Sequence, residues 1–292
     1  MIDLHLHTNH SDGTDTVENL LNNAELNKLN IISIADHDSV SSYKELIDYK
    51  DIYSGIIIPG VELKTFYNGI PMEVLGYGID PEKIKIHQVD TYKVQSIILD
   101  KFKTIGKSIG LKFDESISVS KTDSSRLYAA ITFAKEILKY EENKDILLNY
   151  GPLFEETEFY RVHSSNKESI FYFDESTFGE PLDKTIASIH DAGGLAFLAH
   201  PLLYPFTDKF ASIEEILINY DLDGLECIYP LFNEEDRTKL IELAKKHNKY
   251  ISGGTDYHGN NKPNIKIGSG IDDNTLIDDK IINDWISKVN KY

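Results

Sequence analysis

The sequence predicts an α/β protein with a barrel-like core, and two observations support this fold class. Short apolar runs alternate with amphipathic stretches over residues 1–80, and the same rhythm returns after about Pro181. This repeated βαβ order is typical of a parallel sheet covered by helices. Residues 85–180 interrupt it with helical stretches rich in Lys and Glu and with an irregular aromatic segment. We therefore expect a core formed by residues 1–84 and 181–292, with an inserted, mainly helical capping subdomain over 85–180.

The elements of the first half each have a local signal. Residues 2–7, 31–35 and 56–61 are short apolar runs and are predicted as strands. Thr16 is an expected N-cap for a helix over 17–29, because its side chain can accept a hydrogen bond from an amide of the first turn. Further helices are predicted over 41–49, and over 91–109 and 124–149 within the insertion.

The second half repeats this pattern and closes on a helix. Strands are predicted over 195–199, 224–228 and 250–252, and helices over 182–191, 212–219 and 233–247. The apolar residues of 275–290, which include Trp285, predict one more amphipathic helix.

The charge balance restricts the kinds of partner. The 292 residues include 30 Lys+Arg and 48 Asp+Glu, a formal net charge of −18. Such a surface repels a long polyanion, which argues against long duplex nucleic acid but allows a small phosphorylated ligand held by local cations or metals. We expect no membrane span, because no apolar run reaches about 18 residues, and no signal-peptide pattern is present. A single cysteine fits a reducing compartment, so a cytoplasmic protein is expected; the oligomeric state stays open.

Histidine and carboxylate residues follow the predicted strands. His5 and His7 stand at i and i+2 on the first strand, so their side chains point to the same face. The other candidates are Asp12, His37, Glu62, His200, Asp256 and His258. An α/β barrel has its active site at the C-terminal ends of its strands, so we expect these side chains to converge. The alternative, that every one is a solvated turn residue, is disfavoured because five separate strand ends repeat the pattern.

The ligand types indicate a class of metal. Imidazole and carboxylate without thiolate suit Zn, Mn or Fe. Eight or nine candidate ligands exceed the needs of one ion, so two or three ions that share a bridging carboxylate and a hydroxide are expected. Such clusters activate water and stabilise an oxyanion, as phosphoester hydrolysis requires.

Six motifs give the sequence a resemblance to a known family. They are His5-Leu6-His7-Thr8, Ser11-Asp12-Gly13, Ala35-Asp36-His37-Asp38, Pro59-Gly60-Val61-Glu62, Leu198-Ala199-His200-Pro201 and Gly254-Thr255-Asp256-Tyr257-His258-Gly259. Together they resemble the motifs of the PHP (polymerase and histidinol phosphatase) superfamily. The resemblance implies a distorted (β/α)7 TIM-like barrel. It is greatest for the stand-alone bacterial phosphoesterases, which act on nucleotides, on 3′,5′-bisphosphonucleotides or on short RNA.

The resemblance also implies a ligand set. One metal takes His5, His7, Glu62 and Asp256, a second takes Asp12, His37 and His258, and a third shares Glu62 and takes His200 with one more residue. Glu73 stands where the family usually has a histidine. Either Glu73 is a ligand that favours harder ions such as Mn or Fe, or it is a strand residue that faces solvent and the third site is empty.

Other side chains are candidates for contact with the substrate. Lys262 follows the last motif closely, and Arg126 and Arg161 are two of only three arginines. A guanidinium offers a planar, bidentate fork to phosphate, although a solvated surface position is the alternative for each cation. The candidates to protonate the leaving group are His200, His163 and a metal-bound water. The aromatic residues of 150–178 either stack a nucleobase or form the small core of the insertion.

The expected function is hydrolysis of phosphate monoesters of nucleotides or of short 5′-phosphorylated oligonucleotides by a metal-bridging hydroxide. One alternative is a histidinol-phosphate phosphatase, which would use the same metals on a smaller substrate. Another is a non-catalytic metal-binding module, which would be expected to have lost ligands.

Overall fold

The computed structural model describes residues 1–120, 128–156 and 158–292. These residues fall into two compact units. Unit 1 consists of residues 1–87 and 179–292, and unit 2 of residues 88–178. None of the described helices combines the length and apolarity that crossing a membrane requires.

Unit 1 contains two sheets. Strands β1 (Ile2–Leu6), β2 (Ile31–Ile34) and β3 (Ile56–Ile57) form a parallel sheet. The second sheet has the order β4 (Gly60–Tyr67), β5 (Ile70–Tyr77), β6 (Leu195–Leu198), β7 (Gly224–Ile228) and β8 (Tyr250–Gly253). Strand β5 is antiparallel to both of its neighbours, whereas β6, β7 and β8 run parallel. Unit 1 is therefore a mixed α/β structure.

Isolated bridges join the two sheets at two seams. Leu6 pairs with Tyr257, beyond β8, and His37, beyond β2, pairs with Glu62 of β4. The described strands do not continue these bridges into ladders, so the closed (β/α)7 barrel expected from the resemblance is not found. Past Glu62, the edge of β4 has no neighbour among the described strands and bonds other groups instead. The N–H of Lys64, for example, donates to the Asp38 carboxylate at 2.9 Å. The seams nevertheless bring the ends of β1, β2 and β8 close to β4.

A hairpin replaces the third predicted strand. The apolar run 56–61 is divided between β3 and the start of β4, and β4 continues to Tyr67. A two-residue turn, Asn68-Gly69, connects β4 to β5, and both residues have positive φ (51° and 77°). Asn-Gly is the sequence typical of such hairpin turns, so the sequence itself contained a signal that predicts this hairpin.

The helices of unit 1 are α1 (Val17–Leu26), α2 (Ser42–Tyr49), α6 (Leu182–Asp191), α7 (Lys209–Asn219) and α8 (Glu234–Lys246). The side chain of Thr16 caps α1 by accepting a hydrogen bond from Asn19 N–H at 3.2 Å. Helix α7 begins three residues earlier than predicted. The reason is the Asp208 side chain, which accepts a hydrogen bond from Ala211 N–H at 3.1 Å and caps the helix there.

The predicted closing helix over 275–290 is wrong. Only short 3-10 turns form there, at Asp279–Ile282 and Ile286–Lys288. The backbone at both ends of this segment pairs with the strands instead: Ile277 with Ile2, and Tyr292 with Ile57. Trp285 is still fully buried, and its ring stacks on Tyr77 with centroids 5.5 Å apart. The segment therefore contributes core side chains without forming a helix.

Unit 2 contains α3 (Thr91–Ser108), α4 (Tyr128–Ile137) and α5 (Asn143–Leu147). The single helix predicted over 124–149 is interrupted after α4. The side chain of Asn143 donates a hydrogen bond of 2.8 Å to the carbonyl of Ile137, the last residue of α4, and so caps the helix there. Residues 121–127 lie outside the described part. Five buried phenylalanines pack on one another in the core of this unit; they are Phe102, Phe133, Phe154, Phe159 and Phe171.

Candidate metal centre

The first strand carries two of the predicted ligands into the interior. Strand β1 is buried along its whole length, and the side chains of His5 and His7 are fully buried. Their ring centroids lie 5.1 Å apart, as the i, i+2 spacing predicts. The N–H of His7 donates to the Tyr257 carbonyl at 3.0 Å, so the seam beside β8 fixes the backbone of this ligand.

One carboxylate, that of Glu62, lies at the centre of the cluster. Its Oε2 is 3.1 Å from His5 Nε2, 3.3 Å from His7 Nε2 and 3.1 Å from His37 Nδ1. Its Oε1 is 2.9 Å from His200 Nε2. Glu62 is fully buried on β4. A carboxylate that faces four imidazoles in this way is available as a ligand to divalent ions.

A second group of ligands lies on the more open side. Oδ1 of Asp12 is 3.1 Å from His258 Nε2 and 3.8 Å from His7 Nδ1, and its Oδ2 is 3.7 Å from His37 Nε2. The Asp12 side chain is 58% exposed, unlike the buried His7 and His258. This group therefore gives the cluster an edge that solvent can reach.

Asp256 uses its two oxygens differently. Oδ1 faces the histidines, at 3.3 Å from His7 Nε2 and 3.6 Å from His5 Nε2. Oδ2 accepts a hydrogen bond from the Tyr229 hydroxyl at 2.7 Å and is 2.5 Å from Lys262 Nζ. One oxygen is thus oriented toward the cluster because the other is held in place.

Glu73 points into the cluster rather than toward solvent. Its side chain, on β5, is 18% exposed. Oε1 lies 3.6 Å from His37 Nδ1, and Oε2 lies 3.4 Å from His200 Nε2. The alternative that Glu73 is a solvent-facing strand residue is therefore wrong, and the side chain is available as a ligand beside Glu62.

In the described part of the chain, four sets of ligand atoms come close enough to hold an ion, with all atoms of a set within 4.8 Å of one another. They are His7, Asp12, His37 and His258; His5, His7 and Asp256; His5, Glu62 and His200; and His37, Glu62 and Glu73. Among the described residues, the buried Nε2 of His7 has no hydrogen-bond partner, although two carboxylate oxygens lie 3.3 Å away. An imidazole nitrogen in this setting fits a divalent cation, as does the mixture of imidazole and carboxylate ligands.

The electrostatics favour positive charge in the cluster. Burial alone lowers the pKa of His7, but the nearby carboxylates of Asp256 and Glu62 outweigh it and raise the pKa to about 9. Burial is likewise outweighed at His200, where Glu62 and the charge of Glu73 raise the pKa to about 9. Burial would raise the pKa of Glu62, yet the neighbouring imidazoles hold it well below its usual range. The same carboxylates would stabilise a bound divalent cation.

Sequence reasoning missed Glu226. This residue is fully buried in the middle of β7, and its carboxylate contacts His5 and the backbone of His200. The signal was present, because an acidic residue within the buried run Gly224–Ile228 requires a partner. The Asp36 carboxylate, by contrast, accepts hydrogen bonds from the Thr8 N–H and from the Ser11 hydroxyl, both at 2.7 Å. The Asp36 backbone carbonyl accepts one from the Glu62 N–H at 3.2 Å.

The candidates for substrate contact differ in position. Lys262 lies beside the cluster, paired with Asp256. Arg161 is an exposed residue of unit 2, in the turn Tyr160–Ser164. His163 is buried in the same turn, where its Nδ1 is hydrogen-bonded to the Ser169 hydroxyl at 3.0 Å and its ring packs against Phe154 and Phe159. Burial lowers the pKa of His163. Arg126 lies outside the described residues.

Comparison with known proteins gives one family and several relatives. The family model of the PHP domain matches residues 3–252. A 5′-3′ exoribonuclease from Haemophilus influenzae is 27% identical, over 88% of this chain and 89% of that protein. A 3′,5′-nucleoside bisphosphate phosphatase from Chromobacterium violaceum is 22% identical, over 88% of this chain and 87% of its own. A phosphoribosyl 1,2-cyclic phosphate 1,2-diphosphodiesterase from Eggerthella lenta is also 22% identical, over 88% of this chain and 94% of that protein.

Two solved structures share the fold. An amidohydrolase from Chromobacterium violaceum, with bound sulfate and no metal, superposes with a TM-score of 0.61 at 21% identity, over 91% of this chain and 89% of its own. A Bifidobacterium adolescentis protein of predicted metal-dependent phosphoesterase activity gives the same TM-score of 0.61 at 21% identity, over 99% of this chain and 96% of its own.

Proposed function

Because this chain belongs to the PHP domain family, we propose that it is a metal-dependent phosphoric ester hydrolase that acts on nucleotides or short 5′-phosphorylated oligonucleotides. The observation that carries the proposal is the position of Glu62, whose buried carboxylate faces four histidines from three different parts of the chain. The relatives named above act, by their names, on nucleoside bisphosphates, on RNA and on a phosphoribosyl cyclic phosphate. These substrates favour the nucleotide class over histidinol phosphate.

The residues of the cluster have distinct tasks in such a reaction. Divalent ions, when bound, would activate water and neutralise the phosphate oxygens. His5, His7, Glu62 and Asp256 would hold the buried part of the centre, and Asp12, His37 and His258 the part that solvent reaches. Glu73 and His200 would complete the side next to Glu62. We propose two or three ions, with Mn or Fe favoured because Glu73 adds a hard oxygen ligand.

Lys262 is the proposed phosphate contact nearest to the centre. Its ammonium group lies 2.5 Å from Asp256 Oδ2 and is partly exposed, so it can approach an anion while it stays close to the cluster. Charge-assisted hydrogen bonds of this kind are the strong ones in phosphate recognition. Arg161 and Arg126 stay candidates for the rest of the substrate. Burial lowers the pKa of His163, which makes it a poor proton donor to the leaving group near neutral pH; His200 can be that donor only while it does not bind a metal ion.

The test is a comparison of substrates and variants. Phosphate release is measured from adenosine 3′,5′-bisphosphate, AMP, a short 5′-phosphorylated RNA and histidinol phosphate, with Mn, Zn and Fe supplied in turn. We expect release from the nucleotides and loss of this activity in His7→Ala and Asp256→Ala. His247→Ala is the matched control, because His247 pairs with Glu214 outside the cluster. Full activity in a metal-depleted His7→Ala variant contradicts the proposal, and preference for histidinol phosphate supports the alternative.

A further inference from the structure

We infer that Glu226 is a positioning residue for two separate parts of the metal centre. Its two carboxylate oxygens contact two different strand ends. Oε1 lies 2.8 Å from Nδ1 of His5, and Oε2 accepts a hydrogen bond of 2.7 Å from the backbone N–H of His200. Glu226 and His5 are fully buried, and His200 is 6% exposed. Both contacts are therefore protected from competition by water.

The contact with His5 determines which ring nitrogen carries a proton. A carboxylate can only accept a hydrogen bond, so Nδ1 of His5 has to be the donor. In a neutral imidazole this leaves the lone pair on Nε2, which is the atom 3.1 Å from Glu62 Oε2 and 3.6 Å from Asp256 Oδ1. Metal-bound histidines usually donate their other N–H to a carboxylate or carbonyl. Glu226 therefore holds His5 in the tautomer that can bind a cation.

The contact with His200 stabilises an unusual backbone conformation. His200 has φ 26° and ψ 58°, in the left-handed region that residues other than Gly adopt at an energetic cost. This turn directs the ring toward the cluster, where Nε2 lies 2.9 Å from Glu62 Oε1. Because Oε2 of Glu226 bonds the N–H of the same residue, it helps to offset that cost. Glu226 thus fixes His5 by a contact with the His5 ring, and His200 by a contact with the His200 backbone.

A single carboxylate then serves two of the ligand sets. His5, His7 and Asp256 form one set, and His5, Glu62 and His200 form another. Strand β7 supplies no member of any set, yet it lies beside β6 and β8, whose ends supply His200 and Asp256. We therefore expect loss of Glu226 to weaken both sets together. The inference rests on the proposed metal centre and goes beyond it by assigning a residue that is not a ligand.

The isosteric change Glu226→Gln tests this role. An amide has one acceptor oxygen and one NH₂ group, and the backbone N–H of His200 requires the oxygen because it can only donate. The NH₂ group then faces Nδ1 of His5, which has to accept. The proton of His5 moves to Nε2, the nitrogen that faces the cluster. For zinc to bind Nε2, the proton has to return to Nδ1, where this N–H would face the NH₂ group of the new side chain, which is also a donor. We therefore expect zinc affinity to fall roughly 10- to 100-fold.

The experiment compares the full-length wild type, Glu226→Gln and Cys227→Ala. Cys227 is the next residue of β7 and is buried in a hydrophobic cluster, so its variant controls for altered packing of the strand. Zinc affinity is measured by competition with a chromophoric chelator, and bound zinc per chain by elemental analysis. A ¹H–¹⁵N spectrum of the zinc-loaded protein reports the proton on His5 Nδ1, assigned with a His5→Gln variant. We expect this signal in the wild type and in Cys227→Ala, and its loss in Glu226→Gln.

Two results would overturn the inference: zinc binding by Glu226→Gln with the affinity of the wild type, or a zinc-loaded wild type in which Nδ1 of His5 bears no proton. The second measurement decides the question even if Glu226→Gln fails to fold. A wild type that binds no divalent ion refutes the metal centre and the proposed function. A wild type that binds zinc, with Glu226→Gln unchanged, refutes only the positioning role.

Discussion

Replacement of Glu62 by Gln is the perturbation from which the geometry predicts the largest effect. The change keeps the shape of the side chain and removes a charge that is fully buried and lies 2.9–3.3 Å from nitrogens of four histidines. Removing one partner from a buried, charge-paired group costs about 3–5 kcal/mol. We expect a bound cation, which would also lose this buried charge, to be weakened by a similar free energy, roughly a 10²- to 10⁴-fold loss of affinity. Because Glu62 belongs to two ligand sets, we expect bound metal per chain to fall as well.

Isothermal titration of the metal-depleted protein with Mn, together with elemental analysis, measures both effects. Glu214→Gln is the matched control, since Glu214 also pairs with a histidine, His247 at 2.7 Å, but lies outside the cluster. We expect Glu214→Gln to bind Mn as the wild type does. If Glu62→Gln retains the wild-type affinity and stoichiometry, Glu62 does not bridge ions and the central role assigned to it is refuted.

Three further predictions follow from the same geometry. Glu73→His should shift the ratio of Mn-supported to Zn-supported activity toward Zn, because an imidazole replaces a hard oxygen 3.4 Å from His200 Nε2; an unchanged ratio would count against Glu73 as a ligand. Lys262→Ala should lower kcat/KM roughly 10- to 100-fold through loss of a charged hydrogen bond to phosphate, with metal content preserved, and an unaltered kcat/KM would remove Lys262 from the substrate site. Addition of Mn at about 100 times its Kd should raise the free energy of unfolding by about 2.7 kcal/mol; calorimetry in which Mn leaves the melting temperature unchanged would argue against a specific site.

The ligand cluster is the part of the molecule that local rules predict well. The pleat of a strand puts residues i and i+2 on one face, which is why His5 and His7 lie together. The ends of parallel strands meet at one edge, which is why residues as distant in sequence as His37, His200 and His258 approach one another. The six motifs predicted the family, and the match over residues 3–252 confirms it.

The departures arise where tertiary pairing decides. Residues 275–290 have helical periodicity, but Ile277 pairs with Ile2, and Tyr292, just past this segment, pairs with Ile57. The barrel was expected from the resemblance, whereas the β4–β5 hairpin runs antiparallel and leaves only isolated bridges at the seams. Glu226 was missed because its partners, His5 and the turn at His200, are remote in sequence. A buried acid in a strand shows that a partner exists but not which one.

Reconstitution of the metal-depleted protein tests the central claim most directly. Phosphate release from adenosine 3′,5′-bisphosphate is followed while Mn is added, and bound Mn per chain is measured on the same samples. The cluster predicts negligible release without metal and a rise in activity that tracks the binding of two or three ions per chain. Equal release from metal-depleted and metal-loaded protein, or binding of Mn with no release from any nucleotide, would contradict the assignment of this chain as a metal-dependent phosphoric ester hydrolase.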